Sequence, residues 1–466
     1  MLAHCHGSNP RTRPSSSFAQ TSPVRAVPVC RWTKSARRAG RSRRLVLEGA
    51  RVRGEREVMA DVFAKCRLPE YQPVKDLGIY PYYHAVEERA GDGEVVVGGR
   101  VLVQAGSNDY LGLSGDPRVK EAAVAATRRL GTGSGGSRLT NGSLALHEEL
   151  EARLAAFLRR PAVMVTSAGY LANLALGALL GPGDVVLGDR LVHACLIDAV
   201  RLGGARLRRY RHNDLEHLER LLGACDPDAG RMIVTEGMFS TSGSVCDLPG
   251  IAKLARAYGA RVVLDSAHDV GLLGTAGRGA AEAHGLEEAV DVQTVTFSKA
   301  LGTIGGAVAG PEEIILYLRH HARSMVFTAA LSPACAAAAL AALEIVAAEP
   351  ERRRRLRAAA RRLSGELAGL GYAVTPSDRP VVAVPVGEDL RCFRLWRELF
   401  DEGVFTTAMI SPGVPPGQAL IRVSLTATHT DAQIDRIASA FAAAGRRLGL
   451  LPSTPERTPP RAEDAG

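Results

Sequence analysis

Lys299 is the residue whose type and position most favour covalent chemistry. The chain has 52 arginines but only six lysines, and Lys299 lies between a strand-like segment, residues 292–297, and a glycine-containing turn, residues 302–306. Burial at a strand end lowers the pKa of a lysine, so that its neutral amine can form a Schiff base with an aldehyde. The alternative is a surface lysine after an edge strand. We favour the Schiff base because polar residues also follow the neighbouring strands.

Four further strand-like segments end in polar or flexible residues. These are 162–166 before Gly169, 184–187 before His193, 232–235 before Ser240, and 261–264 before Asp265. Ligands of open α/β sheets bind beyond the carboxyl ends of the strands, so we expect these residues to surround one site. Asp265 could keep a pyridine nitrogen protonated, although a structural Asp cap is the alternative. The His193 imidazole could stack on an aromatic ring, and the helix start near Gly169 could bind a phosphate.

The order of helical and strand-like segments predicts the domain organisation. From Pro117 onward the two kinds of segment alternate, which is typical of an α/β protein with a mostly parallel sheet. After about residue 345 the pattern changes to that of a smaller α+β domain. The predicted parts are a basic leader (1–58), an N-terminal segment (59–105), a large domain (106–345), a small domain (346–451) and a disordered tail (452–466).

The positive charge of the chain is confined to its leader. Residues 1–58 carry 13 Lys and Arg against three acidic residues, whereas the remaining residues carry 45 basic and 46 acidic groups. A neutral folded body lacks the basic surface that nucleic acid requires, so no nucleic-acid partner is predicted. The leader is interpreted as a solvated tail, a transit-like segment or, preferably, sequence upstream of a true start at Met59.

Membrane insertion and an oxidising compartment are not predicted. The apolar run at residues 331–343 is shorter than the roughly 20 residues that a transmembrane helix needs. Eight cysteines are scattered without a Cys-x-x-Cys pair, which favours neither a zinc site nor a disulfide scaffold. We therefore expect a cytoplasmic protein without a membrane span or a metal site.

Two motif-like segments are set aside. Residues 131–136 match G-x-G-x-x-G, but they follow a helical segment, whereas a dinucleotide site requires a preceding strand. His147 to Glu151 begins like a metalloprotease helix but lacks the second histidine, so we expect a charged helix face there. Neither a P-loop nor a G-x-S-x-G elbow occurs, so the sequence does not support phosphoryl transfer or α/β-hydrolase chemistry.

An ordered set of motifs resembles one family, the pyridoxal-phosphate-dependent α-oxoamine synthases. The likeness runs from about residue 78 to residue 442. Its motifs lie at 107–113, 136–138, 141–142, 167–173, 193, 210–214, 265–268, 296–300 and 422–430. Residues 80–83 and 412–416 look more like the bacterial serine palmitoyltransferase branch than the others. The resemblance implies an aspartate aminotransferase-like α/β fold (fold type I), with a large cofactor domain, a small C-terminal α+β domain and a homodimer with shared active sites.

The resemblance also implies a role for each matching residue. Lys299 would hold pyridoxal phosphate covalently and move the Cα proton, Asp265 would face the ring nitrogen, and His193 would stack on the ring. The other implied contacts are His268 and Ser240 at the ring hydroxyl, Gly169, Tyr170, Thr296 and Ser298 at the phosphate, Thr328 at the phosphate from a partner subunit, and Asn108 and Arg422 at the substrate carboxylate.

The implied reaction is a decarboxylative condensation. A small amino acid (serine, glycine or alanine) would react with an acyl thioester of coenzyme A or of an acyl carrier protein, giving an α-amino ketone. Serine with a long acyl chain is the leading expectation. The alternatives are 8-amino-7-oxononanoate synthase, which uses alanine, an aminotransferase, which releases no carbon dioxide, and a non-catalytic homologue.

Several positions depart from the family pattern. Ser266 and Asp269 stand where the family usually has Glu and Ser, and Ala329 and Ala330 replace hydroxyl residues. Thr241, Ser242 and Ser244 stand in place of Met, an acidic residue and Asp, and Cys195 replaces a usual Ser. Charge near the cofactor is thereby rearranged, so a specialised enzyme is an alternative to a housekeeping member of the family.

Overall fold

The structure is a computed structural model that describes residues 61–66 and 71–451. The predicted leader (1–58) and tail (452–466) lie outside the described residues. The chain divides into two units after Cys66, and the described part of the first contains one 3₁₀ turn, Ala64–Cys66. All that follows concerns the second unit.

The second unit contains fourteen strands and fourteen α-helices among its described residues. The strands are β1 (Glu88–Gly91), β2 (Glu94–Val97), β3 (Arg100–Gln104), β4 (Ala162–Thr166), β5 (Val185–Asp189), β6 (Arg206–Tyr210), β7 (Arg231–Glu236), β8 (Arg261–Asp265), β9 (Val292–Thr296), β10 (Gly306–Gly310), β11 (Val381–Gly387), β12 (Val404–Phe405), β13 (Thr407–Met409) and β14 (Ala419–Ser424). The helices are α1 (Gln72–Asp76), α2 (Pro117–Leu130), α3 (Ala145–Leu158), α4 (Gly169–Ala175), α5 (Ala194–Gly203), α6 (Leu215–Gly223), α7 (Leu248–Tyr258), α8 (Ala280–His284), α9 (Glu312–His321), α10 (Arg323–Val326), α11 (Pro333–Ala348), α12 (Pro350–Leu370), α13 (Asp389–Asp401) and α14 (Asp431–Arg447).

A seven-stranded sheet in the order β4-β10-β9-β8-β7-β5-β6 forms the centre of the large domain. Strands β5 to β9 pair in parallel, and β10 runs antiparallel to both of its neighbours. Alternate side chains of a strand enter different cores: Met164 belongs to one hydrophobic cluster, whereas Val163 and Val165 belong to the other. The sheet therefore separates two cores and is covered on both faces, as parallel sheets usually are.

The five predicted strands of this sheet are confirmed, with ends within two residues of those expected. Strands β6 and β10 were not predicted. Strand β6 is an edge strand with the sequence Arg-Leu-Arg-Arg-Tyr, and β10 is Gly-Ala-Val-Ala-Gly. Strand β6 is rich in arginine, and β10 has a single β-branched residue between small ones, so neither has the composition by which a buried strand is recognised.

The C-terminal part contains a separate antiparallel sheet in the order β11-β14-β13. Helix α13 packs on β11 and β14, and α14 packs on α12 and α13. Strands β1 to β3 join the short β12 in a third sheet, so the N-terminal segment pairs with a strand of the small domain. The exact domain boundaries, 106–345 and 346–451, stay a prediction.

The predicted charged face of α3 is wrong for two of its residues. His147 is fully buried and lies 2.7 Å, through Nε2, from the Leu331 carbonyl oxygen. Glu151 is also buried and accepts hydrogen bonds from Arg138 and from the Val165 backbone N–H. These polar groups are buried because each has a partner inside the fold.

The described residues contain no cluster of three or more His, Cys, Asp or Glu side chains that could hold a metal ion. Within the same ranges, no single helix has both the length and the apolar character to cross a bilayer, although α11 and α12, bent by 78°, pass that test as a pair. The alanine-rich run at 331–343 lies largely in α11, which packs against α2 and α3.

Candidate active site

A cavity of about 270 Å³ lies at the carboxyl ends of β4, β7, β8 and β9. Its size is near the lower end of small-molecule sites, about 300–1,000 Å³. The cavity brings together eight of the predicted site residues: Gly169, Tyr170, His193, Asp265, His268, Thr296, Ser298 and Lys299. Four other predicted residues do not line it: Asn108, Ser240, Thr328 and Arg422.

Lys299 lies three residues after β9 and reaches this cavity. Burial lowers the pKa of the Lys299 amine below its usual value, while the nearby Asp265 and Glu236 carboxyl groups act in the opposite direction. A lowered pKa increases the fraction of neutral amine, which is the nucleophilic form. The environment of Lys299 therefore suits covalent attachment of an aldehyde.

Asp265 ends β8 and is buried with hydrogen bonds to both of its oxygens. Asn173 donates to Oδ2 at 2.7 Å, and the backbone N–H of Ala267 donates to Oδ1 at 2.9 Å. The Thr294 hydroxyl donates to the Asn173 amide oxygen at 2.8 Å, which turns the amide nitrogen toward Asp265. The carboxylate is thus held in a fixed position, as an ion pair with a protonated ring nitrogen requires.

His193 caps the N-terminus of α5, and this cap determines where its ring can carry a proton. The backbone N–H of Cys195 donates to His193 Nδ1 at 3.2 Å, so Nδ1 acts as an acceptor and Nε2 carries the proton of the neutral ring. Burial lowers the pKa of His193, which favours that neutral form. Burial also raises the pKa of Cys195 to about 12, and this thiol lies 2.9 Å from Nδ1.

Glu236 also lines the cavity, although it was not predicted as a site residue. It is 2% exposed, and the backbone N–H of His193 donates to its Oε1 at 2.6 Å. Burial and the nearby Asp265 raise the pKa of Glu236, which favours its protonated form. Glu236 pairs with Asp265 across β7 and β8, so its position immediately after residues 232–235 was the signal that could have identified it.

The start of α4 offers a cradle for a phosphate. The first N–H groups of a helix have no partner within the helix and attract anions. Thr296 Oγ1 and Ser298 Oγ, which lie 3.0 Å apart, line the same cavity as Gly169 and Tyr170. A Cβ atom on Gly169 would lie 2.5 Å from Thr296 Oγ1. The backbone at Gly169 therefore approaches the end of β9 as only glycine allows.

We predict that Gly169→Ala weakens cofactor binding by about 1–3 kcal/mol, the usual cost of overfilling a packed site. The added methyl group would displace Thr296 or the start of α4 from the phosphate cradle. The cofactor dissociation constant, measured by absorbance titration, tests this. Gly183→Ala is the matched control, because its added Cβ has no neighbour within 4 Å. Equal affinities for the two variants would contradict the prediction.

Arg422 is connected to the cavity through a hydrogen-bonded chain. Its Nη2 donates to Asn108 Oδ1 at 2.8 Å and to the Tyr110 hydroxyl at 3.0 Å. That hydroxyl lies 2.7 Å from His268 Nδ1, at the cavity wall. Arg422 Nε donates at 2.6 Å to the backbone oxygen of Ser240. Ser240 thus contacts Arg422 through its backbone, and its predicted approach to the cofactor hydroxyl stays untested.

Thr328 lies at a second cavity of about 370 Å³. This cavity is lined by residues 133–137 and 327–330, and Phe327 beside Thr328 is 74% exposed. Thr328 therefore does not reach the cofactor cavity of its own chain. Its predicted role was in a partner subunit, and that role stays a prediction.

The profile of the aminotransferase class I and II family matches residues 101–441. The chain belongs to this family. Among its relatives, the 8-amino-7-oxononanoate synthase of Thermoanaerobacter pseudethanolicus is 38% identical over 391 residues, which cover 84% of this chain and 98% of that protein. The serine palmitoyltransferase of Bacteroides thetaiotaomicron is 38% identical over 395 residues, which cover 84% of this chain and 100% of that protein.

Solved structures confirm the expected aspartate aminotransferase-like fold of this family member. A Sphingomonas wittichii serine palmitoyltransferase superposes with a TM-score of 0.82 at 32% identity, covering 84% of this chain and 100% of that one. A serine palmitoyltransferase structure with PLP as internal aldimine has the same TM-score and coverage at 34% identity. The family and these neighbours confirm pyridoxal phosphate as the cofactor. The arrangement of half-buried Lys299 and buried Asp265, together with the cradle at Gly169, fits that group.

Ser266 and Asp269 stand where the family usually has Glu and Ser. The two positions therefore still combine a buried carboxyl group with a hydroxyl group, in exchanged places. Ser266 Oγ donates to Asp269 Oδ2 at 3.4 Å, and Gln293 Nε2 donates to Ser266 Oγ at 2.9 Å. The backbone N–H of Ala280 donates to Asp269 Oδ2 at 2.6 Å, but Oδ1 is buried without a partner. Burial raises the pKa of Asp269 to about 7.

We predict that Asp269 makes the stability of the protein decrease between about pH 4 and pH 7. Its folded pKa, about 7, lies above its ordinary value of 3.8, so its stabilising contribution is complete below pH 3.8 and lost as the pH rises through 7. Relative to Asp269→Asn, the wild type should lose at most about 1.4 kcal/mol of unfolding free energy per pH unit there. Urea unfolding across this range tests it, with exposed Asp228→Asn as control. A pH-independent difference from Asp269→Asn would refute it.

Proposed function

We propose that the protein catalyses a pyridoxal-phosphate-dependent decarboxylative condensation. A small amino acid would react with an acyl thioester to give an α-amino ketone, carbon dioxide and a free thiol. The observation that carries the proposal is the arrangement of the Lys299 amine and the Asp265 carboxylate in one cavity. Arg422, linked to that cavity through Tyr110 and His268, supplies the cation that an amino-acid carboxylate needs.

The cofactor would be held by residues that line the cavity. Lys299 would hold its aldehyde carbon, Asp265 its ring nitrogen, and the start of α4 with Thr296 and Ser298 its phosphate. When bound, pyridoxal phosphate supplies an electron sink that stabilises a carbanion at the Cα of an amino acid. His193 would stack on the ring and present its Nε2–H toward a substrate oxygen.

The protein groups would supply proton transfer and orientation. The neutral Lys299 Nζ can accept the Cα proton of the bound amino acid. Arg422 would hold the carboxylate through the two N–H groups of Nη1, which the contacts to Ser240, Asn108 and Tyr110 do not use. Carbon–carbon bond formation at the acyl carbonyl then expels the thiolate, and loss of the carboxylate as carbon dioxide leaves the amino ketone. Serine with a long acyl chain is the preferred pair, a preference supported by the serine palmitoyltransferase-like residues 80–83 and 412–416.

Product analysis tests this reaction. The holoenzyme is mixed with serine, glycine or alanine and with acyl thioesters of coenzyme A or an acyl carrier protein, and free thiol, carbon dioxide and product mass are measured. We expect equal amounts of thiol and carbon dioxide with at least one pair. A keto acid without carbon dioxide would indicate an aminotransferase, and no product with any pair would contradict the proposal. Alanine with a pimeloyl thioester would identify the 8-amino-7-oxononanoate synthase alternative, whose relative is equally similar at 38% identity.

We further propose that the enzyme is a cytoplasmic homodimer. Exposed Phe327 and the position of Thr328 outside its own cofactor cavity support a partner surface there. All six cysteines in the described residues are free, which suits a reducing compartment. Light scattering after size-exclusion chromatography tests the dimer, and a monomer with full activity would refute it.

A further inference from the structure

The motif at residues 210–214 contributes to a hydrogen-bonded chain outside the cofactor cavity, formed by buried Asp189 and half-buried His212 and Ser244. His212 Nδ1 lies 3.1 Å from both carboxylate oxygens of Asp189, and its Nε2 lies 2.8 Å from Ser244 Oγ. Asp189 is fully buried and also accepts the backbone N–H groups of Leu191 and Asn213. The imidazole is therefore fixed on one side by a rigid carboxylate and can hold a hydroxyl group on the other.

Ser244 belongs to a tight hairpin that follows β7, and His212 contacts both arms of it. The Phe239 backbone N–H donates to the Ser244 carbonyl oxygen at 2.8 Å, which closes the hairpin. The Phe239 ring stands edge-on to His212, with ring centroids 4.5 Å apart. A Cβ atom on Gly243, where φ is +68°, would lie 2.5 Å from the Val381 carbonyl oxygen. The hairpin tip therefore lies directly on β11 of the small domain.

The same hairpin presents the backbone oxygen of Ser240 to Arg422. Arg422 Nε donates to that oxygen at 2.6 Å, while Nη2 is held by Asn108 and Tyr110. Three fixed acceptors hold Nε and Nη2 and set the plane of the guanidinium, and this plane decides where the remaining N–H groups, on Nη1, point. Arg422 therefore keeps its orientation only while the hairpin holds the Ser240 backbone oxygen in place.

We propose that His212 is a positioning residue that, through Ser244 and the hairpin, orients Arg422 for the carboxylate of the amino acid. This inference rests on the proposed function, in which Arg422 binds that carboxylate. It also accounts for one departure from the family pattern. With Ser in place of Asp at 244, the Nδ1 side of the ring contacts the Asp189 carboxylate, and Nε2 contacts a hydroxyl group that can either donate or accept.

The test compares variants of the holoenzyme by spectroscopic titration with the amino acid alone, by KM for each substrate and by thermal melting. Ser244→Ala removes the hydrogen bonds of this hydroxyl to His212 and Ser242 and should weaken amino-acid binding about 3- to 10-fold, and His212→Ala at least about 10-fold. The thioester KM and the Tm of Ser244→Ala should stay at wild-type values.

Ser244→Asp, which keeps a partner for the imidazole, should bind the amino acid as wild type does. Thr241→Ala, in the same turn but without a side-chain hydrogen bond to His212 or Ser244 in the structure, should also be unchanged.

Unchanged amino-acid binding in Ser244→Ala would overturn the proposal, as would equal weakening of both substrates together with a lowered Tm. Arg422→Lys separates this failure from failure of the proposed function. It should weaken amino-acid binding more than thioester binding because lysine cannot form the two-pronged ion pair. If Arg422→Lys has this effect and Ser244→Ala has none, only the positioning role of His212 fails. If Arg422→Lys weakens both substrates equally, the assigned role of Arg422 fails first.

Discussion

Lys299→Ala is expected to lower kcat by at least about 10³-fold, within the range that loss of a positioned acid–base group produces. The variant loses both the amine that would attach the cofactor and the base that would accept the Cα proton. None of the other cavity residues is a lysine, so no second amine lies there to substitute. Steady-state kinetics with saturating cofactor measure the effect.

The matched control for this variant is Lys253→Ala, which removes an exposed lysine from α7. It should retain wild-type kcat and wild-type cofactor content. A Lys299→Ala protein that kept more than about a tenth of the wild-type kcat would be incompatible with a catalytic amine at this position.

Asp265→Asn is expected to lower kcat by about 10- to 10³-fold. A neighbouring opposite charge shifts a pKa by about 1–3 units. Loss of the carboxylate charge should therefore lower the pKa of the cofactor ring nitrogen by this amount and favour its unprotonated form. The change also places an amide next to the Asn173 amide that now donates to Asp265, so a small loss of cofactor affinity should accompany it. kcat at saturating cofactor separates the two effects.

Asp269→Asn serves as the control for this second prediction because it removes another buried carboxyl group, four residues after Asp265. Asp269 does not line the cofactor cavity, so its replacement should leave kcat unchanged while altering the pH dependence of stability. Equal losses of kcat in Asp265→Asn and Asp269→Asn would mean that general disturbance of this segment, not the charge at residue 265, causes the effect.

The parts of the site that follow buried parallel strands could be predicted from sequence. Apolar runs such as 162–166 and 261–264 mark the strands, and parallel strands bring the residues after them to one edge. Lys299, Asp265 and His193 were found by this argument, and the structure brings all three to one cavity. Glu236 ends its strand, as Asp265 does, but was overlooked because the hydroxyl groups after it were taken as the functional residues.

Contacts between segments far apart in sequence could not be predicted. Nothing in the local pattern indicates that Asn173, on α4, holds Asp265, or that β12 pairs with β3. His147 was assigned to a charged surface because its spacing is that of a polar helix face. Its burial is explained by the Leu331 carbonyl oxygen, in the loop before α11, which contacts its ring. Such partners depend on tertiary packing, which overrides local polarity.

The most direct measurement of the central claim is chemical trapping of the cofactor on the protein. The holoenzyme is reduced with borohydride, digested, and the peptides that carry the cofactor mass are identified by mass spectrometry. We predict the label on the peptide that contains Lys299 and on no other. A label on any of the other five lysines, or on no peptide at all, would contradict the assignment of Lys299 as the residue that binds pyridoxal phosphate.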